Sequence, residues 1–223
     1  MEDKIIKIDD IMKNHKLRTL IETAHRQLGV IGYTEHGFRH AAVVSDRSGK
    51  ILAQLGKPKR TVELARIAGY MHDCGNAISR HDHARTGGII AYDILNEIGM
   101  PIEEIAEVVS AIGNHHETYG LPVSDIAAAT IIADKSDVHK SRVRKSGDVE
   151  HDIHDRVNHA VKRTNILVHS DERTLELSIV IDTEIASMMQ YFETFLERMV
   201  LSRLASEYLG LTFELVINGT RLS

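Results

Sequence analysis

The chain has a single cysteine, Cys74, which excludes an internal disulfide framework. It has no long apolar run. The longest strongly apolar stretch, residues 126–133, falls far short of the roughly 20 residues a membrane helix needs. It has no excess of positive charge, since 27 Lys+Arg stand against 32 Asp+Glu, a formal net charge of −5. That balance argues against a generic nucleic-acid or anionic-membrane binder. The opening MEDKIIKIDD is charged and lacks an apolar stretch followed by small residues. No secretory signal is therefore expected, and a cytoplasmic location is. Repeats and low-complexity segments are missing as well. What remains is 223 residues, 43% of them hydrophobic, enough for one domain or a core with a small appendage.

Histidine is the residue present in excess, at 14 positions, seven of them between His36 and His116. Imidazole is the commonest side-chain metal ligand and a frequent proton-transfer group. The count alone decides nothing, because histidines also sit on surfaces. Their placement on the predicted elements decides.

The first 163 residues read as successive helices, predicted near 2–13, 15–28, 38–55, 61–75, 83–98, 101–116, 124–138 and 150–163. Ile102, Ile105, Ala106, Val108, Val109 and Ile112 recur at helical spacing, Pro101 suits a first turn, and Ser124 suits an N-cap. Gly56–Pro58 and Gly120–Pro122 mark breaks. From residue 164 the pattern changes. Asn165–Ser170 and Thr174–Ile181 read as a hairpin, Glu184–Leu209 as a long amphipathic helix and Leu211–Ile217 as a strand. The expected architecture is mostly α: a helical domain over 1–163 and a small ββαβ subdomain over 164–223. The subdomain is too small to stand alone comfortably, so it should pack on the helices or on a second copy. A homodimer through the apolar stripe of the long helix is the secondary expectation.

Five fragments carry ionisable groups at or near helix ends. They are Glu35-His36-Gly-Phe-Arg-His40, Tyr70-Met-His72-Asp73-Cys-Gly-Asn76, His81-Asp-His83-Ala-Arg-Thr-Gly87, Gly113-Asn-His115-His116-Glu117 and Ile132-Ala-Asp134-Lys135. His72 follows Ala68 by four residues and Ala65 by seven, so it continues an apolar face. His116 follows Ile112 by four, and Asp134 follows Ile131, Ile132 and Ala133. Unpaired burial of such groups costs several kcal/mol each, on the order of 2–7 for a neutral polar group. Convergence on a cation resolves that cost. Each fragment alone also reads as ordinary core or cap residues. All five in order do not.

The ordered set closely resembles the HD superfamily over roughly residues 30–140: a histidine, a His-Asp pair, further histidines and a final aspartate. The matching positions are His40, His72-Asp73, His83, His115/His116 and Asp134. The resemblance implies a helical core and metal-dependent phosphohydrolase activity. It implies that His40, His72, Asp73 and Asp134 hold a first metal. Asp73 then bridges to a second, completed by His83 and by His115, His116 or both. His36, where some relatives carry a carboxylate for a third metal, is either a further ligand, or a histidine behind the ligands or on the surface. Mixed nitrogen and oxygen donors suit Fe, Mn, Zn, Co or Ni.

Two such ions can bind a phosphate and supply a hydroxide nucleophile, which makes Asp73 central to catalysis. Glu117 is either a general acid/base or partner in that site, or an exposed helix-end carboxylate. Lys135 is a further catalytic candidate, and Lys135, Arg142, Arg144 and Asn76 are the candidates for the substrate's phosphate. The basic run 140–145 either lines the pocket mouth or is a solvated end paired with Asp148, Glu150 and Asp152. The expected partner is a small phosphorylated molecule such as a nucleotide, with no membrane and no specific nucleic acid.

The chain departs from the cyclic-dinucleotide phosphodiesterase branch of that family. A Gly-Tyr-Pro element does not follow His115-His116-Glu117, and Asn76 stands where that branch tends to carry lysine. Two other readings stay open on the sequence: an HD-type di-iron oxygenase, and a nucleotide-binding regulatory module with a structural metal site.

Overall fold

Helix formation follows the apolar spacing through most of the chain. The computed structural model describes residues 5–144 and 152–222. Within them lie α1 (Ile8–Lys13), α2 (His15–Val30), α3 (Phe38–Gln54), α4 (Lys59–Met71), α5 (His83–Glu97), α6 (Ile102–Gly113), α7 (Asp125–Lys135) and α8 (Ile153–Ala160). After them come β1 (Val161–His169), β2 (Thr174–Ile181), α9 (Met188–Tyr208), β3 (Thr212–Ile217) and β4 (Thr220–Arg221). Side-chain caps set several starts. Asn14 accepts from the Leu17 N–H, and Ser124 from the Ala127 N–H, as its position suggested. Ser187 and Gln190 close a reciprocal capping box that starts α9 four residues later than the apolar pattern alone indicates.

Several expected helices end early. α4 stops at Met71, not at 75, and the chain tightens into a 3-10 turn over Cys74–Ala77. Gly75 is pressed onto the start of α5: a Cβ there would lie 2.0 Å from the His83 carbonyl oxygen and 2.5 Å from the Gly87 nitrogen. α6 stops at Gly113, not at 116, where the Asn114 side chain donates to the Ser110 carbonyl and the backbone turns. α7 stops at Lys135, not at 138, with the Ser136 hydroxyl donating to the Ala133 carbonyl. α8 stops at Ala160, because Val161 already pairs with Ile181 in the sheet. β1 therefore begins four residues before the expected strand. Residues 1–4, and residues 145–151 with the expected start of α8 and the end of the basic run, lie outside the described residues.

The strand order is β1-β2-β3-β4. β1 and β2 form an antiparallel hairpin, β2 and β3 are parallel across the α9 crossover, and β3 and β4 are antiparallel. The two-residue β4 extends the expected ββαβ unit. Alternation puts Leu175, Leu177, Ile179 and Ile181 of β2 inside, with Phe213, Leu215 and Ile217 of β3. One apolar cluster runs from Ile6 to Ile217 and joins the helices to the sheet.

α7 is the axis of this core. Every residue from Ile126 to Lys135 is buried. Its alanines, at 127, 128, 129 and 133, leave room for α3, α4, α6 and α9 to pack around it. Such a helix carries no solvent face, so a charged pair at its end must be satisfied inside the protein. That pair is Asp134 and Lys135. Among the described residues no helix is long and apolar enough to cross a membrane.

Candidate metal centre

Five elements deliver the site. α3 supplies His40 from its first turn. The end of α4 and the turn after it supply His72 and Asp73. The first residue of α5 is His83, the turn after α6 carries His115, and the last turn of α7 carries Asp134. The early stops of α4 and α6 let these side chains turn inward. His40, His72, His83 and His115 are buried, as is Asp134.

Each imidazole is held by its Nδ1. His72 donates to the Gly69 carbonyl at 2.8 Å, His83 to the Arg80 carbonyl at 2.9 Å and His115 to the Ile112 carbonyl at 2.7 Å. His40 donates to the Asp137 carboxylate at 2.7 Å. An Nδ1–H donor leaves the lone pair on Nε2. The four Nε2 atoms then face one another in two pairs. Nε2 of His40 lies 3.2 Å from that of His72, and Nε2 of His83 lies 3.1 Å from that of His115. Facing lone pairs beside carboxylates repel one another unless a positive centre lies among them. The donor set therefore fits divalent metal.

Asp73 divides this set. Its Oδ2 is 3.5 Å from Nε2 of His72 and 3.7 Å from Nε2 of His40. Its Oδ1 is 3.3 Å from Nε2 of His83 and 3.9 Å from Nε2 of His115. Asp134 joins the first side, with Oδ1 3.3 Å from His40 and 3.7 Å from His72. His40, His72 and Asp134 offer ligand atoms all within 4.8 Å of one another, and so do His72, Asp73 and His115.

The electrostatics agree. Burial holds His115 well below the usual histidine range, so its ring is neutral. Burial also lowers His72, but the Asp73 and Asp134 carboxylates outweigh it and raise its pKa. Burial would raise the two aspartates, yet neighbouring groups hold both well below the carboxylate range: His72 and His83 for Asp73, and Lys135 and the histidines for Asp134. The same carboxylates that raise the pKa of His72 favour a cation.

Two candidates stand beside the set. His36 is buried, donates from Nδ1 to the Thr34 carbonyl at 2.7 Å, and lies 5.4 Å from the His40 ring, centroid to centroid. Burial keeps it well below its ordinary pKa. His116 stacks on Tyr119 with ring centroids 5.0 Å apart and lies 5.2 Å from His83. Burial pushes its pKa down to about 4. The inward face expected for His116 on a longer α6 goes to His115 instead, because the helix ends first.

The phosphate candidates fare unevenly. Lys135 is buried at the cavity, its Nζ 2.7 Å from Asp134 Oδ2 and 2.9 Å from Glu117 Oε1. Burial would raise Glu117, but Lys135 and then Arg198 hold it far below the carboxylate range, so it accepts hydrogen bonds at neutral pH and donates none. Asn76 donates to Oδ1 of Asp73 at 2.8 Å and so orients that carboxylate. Arg142 lines the inner cavity but donates to the Glu35 and Asp137 carbonyls. Arg144 donates to the Tyr33, His25 and Thr34 carbonyls and lines neither cavity at the site. Its guanidinium is taken up in tying the loop after α2.

Three residues escaped the sequence reading. Asp137 is buried between His40, Arg39 and Arg142, with Arg39 Nη2 2.8 Å away. Arg80 lies 3.3 Å from Nε2 of His83 through Nη1. Arg198 of α9 lies 3.3 Å from Glu117. Outside this cluster a cleft of about 650 Å³ opens, lined by the 31–36 loop, Arg80, Glu117, α8 and the middle of α9.

Comparison with known proteins follows the same residues. Residues 37–142 match the family model for the HD domain. An uncharacterized protein of Methanocaldococcus jannaschii, MJ1020, is 26% identical over 200 residues, 79% of this chain and 76% of that protein. Ribonuclease Y of Oceanobacillus iheyensis is 37% identical over 101 residues, which span 45% of this chain but only 16% of that enzyme. A crystal structure described as a predicted HD superfamily hydrolase from an uncultured Thermotogales bacterium is 21% identical, with a TM-score of 0.46 over 60% of this chain and 75% of the other. The HD match goes with metal-dependent phosphohydrolase chemistry in general. With its ordered histidines and aspartates gathered at one centre inside the matched segment, the chain carries an HD domain over residues 37–142.

Proposed function

We propose that this protein hydrolyses small phosphate esters, nucleotides being the substrate class, with two divalent transition metals. His40, His72, Asp73 and Asp134 would hold one, and Asp73, His83 and His115 the other. The observation that carries this reading is the division of the Asp73 carboxylate, with Oδ2 toward His72 and His40 and Oδ1 toward His83 and His115. Bound there, the metals supply Lewis acidity and an acidified water as nucleophile.

The chain's own groups do the rest. The carbonyls of Gly69, Arg80 and Ile112, and Asp137, fix the imidazole tautomers. Asn76 holds Oδ1 of Asp73 in place. Lys135 spans Asp134 and Glu117 and adds positive charge beside the reacting phosphate. His36 and His116 flank the ligands as neutral rings. The outer cleft has the volume of a nucleotide-sized site. Its rim carries Asp152, Glu193 and Glu197. Those carboxylates favour a single phosphate at the cavity with an uncharged body outside it. The exposed side chains Met189, Leu196 and Val200 of α9 are where a second copy would dock in a homodimer.

The ribonuclease Y match supports a second reading, cleavage of an RNA phosphodiester. The acidic rim opposes a polyanion on electrostatic grounds. The test is a panel of substrates with protein loaded in turn with Mn, Fe, Co, Ni or Zn. Nucleoside monophosphates, nucleoside triphosphates, bis-p-nitrophenyl phosphate and a short single-stranded RNA are compared. Fastest turnover of a monophosphate is expected. RNA as the best substrate would replace this reading by the second, and oxygen uptake without phosphate release would remove both.

A further inference from the structure

We propose that Arg198, carried by α9 outside the HD domain, binds the substrate's phosphate, so that the C-terminal unit completes the active site. The proposal rests on the phosphohydrolase reading above. Arg198 lines both the inner cavity over Asp73 and Asp134 and the cleft of about 650 Å³ outside it. It therefore stands where a substrate must pass from one to the other.

The way the cations are used singles it out. Lys135 is shared between Asp134 and Glu117. Arg142 is spent on backbone carbonyls, and Arg80 donates to Asn76. Arg198 points its Nε at Glu117, 3.3 Å away. Among the described residues its two Nη groups donate to no acceptor. Its guanidinium lies over the Phe195 ring, 4.7 Å from the centroid, and Phe195 is fully buried. The ring fixes the plane of the group from one side. A fixed planar fork with free N–H donors matches two phosphate oxygens.

Glu117 does not cancel this charge, because Lys135 shares the same carboxylate. Glu193 and Glu197 of α9 line the outer cleft but not the inner cavity. The helix is well anchored. Tyr191, Phe195 and Met199 are buried, and α9 packs on α7, which carries Asp134 and Lys135. The guanidinium is thus held against the ligand set by a rigid element and not by a loop.

The test uses the full chain loaded with manganese and inorganic phosphate as the calorimetric probe. Arg198→Met, Arg198→Lys and Arg198→Gln are compared with wild type. Arg203→Met serves as a control on the same helix, since among the described residues Arg203 pairs with Glu207, on the exposed face. Loss of a charge-assisted fork should weaken phosphate binding roughly tenfold in Arg198→Met. Arg198→Lys should fall between it and wild type, Arg203→Met should match wild type, and bound metal per chain should not change. KM for p-nitrophenyl phosphate should rise with the phosphate dissociation constant. Thermal melting checks each fold, and the Gln and Lys variants carry the comparison if the Met variant is misfolded. Unchanged phosphate affinity in the Arg198 variants, with wild type still hydrolysing the ester, overturns this proposal alone. A metal-loaded wild type that neither binds phosphate nor hydrolyses any ester overturns it together with the reading it rests on.

Discussion

Oδ2 of Asp137 accepts a hydrogen bond from Nδ1 of His40 at 2.7 Å, on the side of the ring away from the centre. A carboxylate there fixes the tautomer and raises the basicity of Nε2. Asp137→Asn keeps the shape and removes the charge. Metal affinity should fall about 10–100-fold, measured by chelator competition, with the fold intact by circular dichroism. Unchanged affinity would show that Asp137 serves only Arg39 and Arg142.

Gly75 is needed because two backbones meet there. A methyl group at 2.0 Å from the His83 carbonyl oxygen must push α5 away from the turn that carries Asp73. Gly75→Ala should cost on the order of 3 kcal/mol by denaturant melting, and bound metal should drop with it. A stable variant with full metal content would mean that the two segments pack more loosely than described.

Metal should also stabilise the fold. A ligand that binds the native state alone adds about 2.7 kcal/mol at a hundred times its Kd. Melting temperature should rise on titration with Mn or Zn, and EDTA should reverse it. The rise should vanish in Asp134→Ala, because Asp134 is one of the converging groups. A melting curve indifferent to every transition metal would speak against a converged donor set.

Cys74 gives a pH-dependent check on burial. Burial, with the Asp73 charge second, pushes its thiol pKa up to about 12. The folded value lies above the unfolded one, so this contribution to stability is full below the ordinary thiol range. It is lost as pH rises from there toward about 12. Iodoacetamide at pH 8 should leave native Cys74 untouched and modify it after denaturation. Rapid native modification would mean that the turn at Cys74–Ala77 opens readily.

The sequence made the helical core legible because apolar residues recur at helical spacing from α2 to α7. The converging histidines and aspartates were legible as well, since each lies at or near the end of such a run. The helix ends were not. α4 and α6 stop early because of a backbone contact at Gly75 and a side-chain cap at Asn114, neither of which leaves a periodic trace. That is why His115, and not His116, turns inward. Asp137 left a faint signal, three residues after Asp134. Arg198 left none, since only the packing of α9 on α7 brings it to the site. Arg144 looked like a phosphate ligand by proximity to Asp134 in the chain, but its guanidinium binds the backbone of residues 25–34.

The most direct measurement is an anomalous-difference map from crystals grown with manganese and recorded at a wavelength where it scatters. Two peaks should appear on opposite sides of the Asp73 carboxylate, one against His40, His72 and Asp134, the other against His83 and His115. No peak between those side chains, or rings turned outward with their Nε2 atoms in solvent, would contradict the two-metal centre.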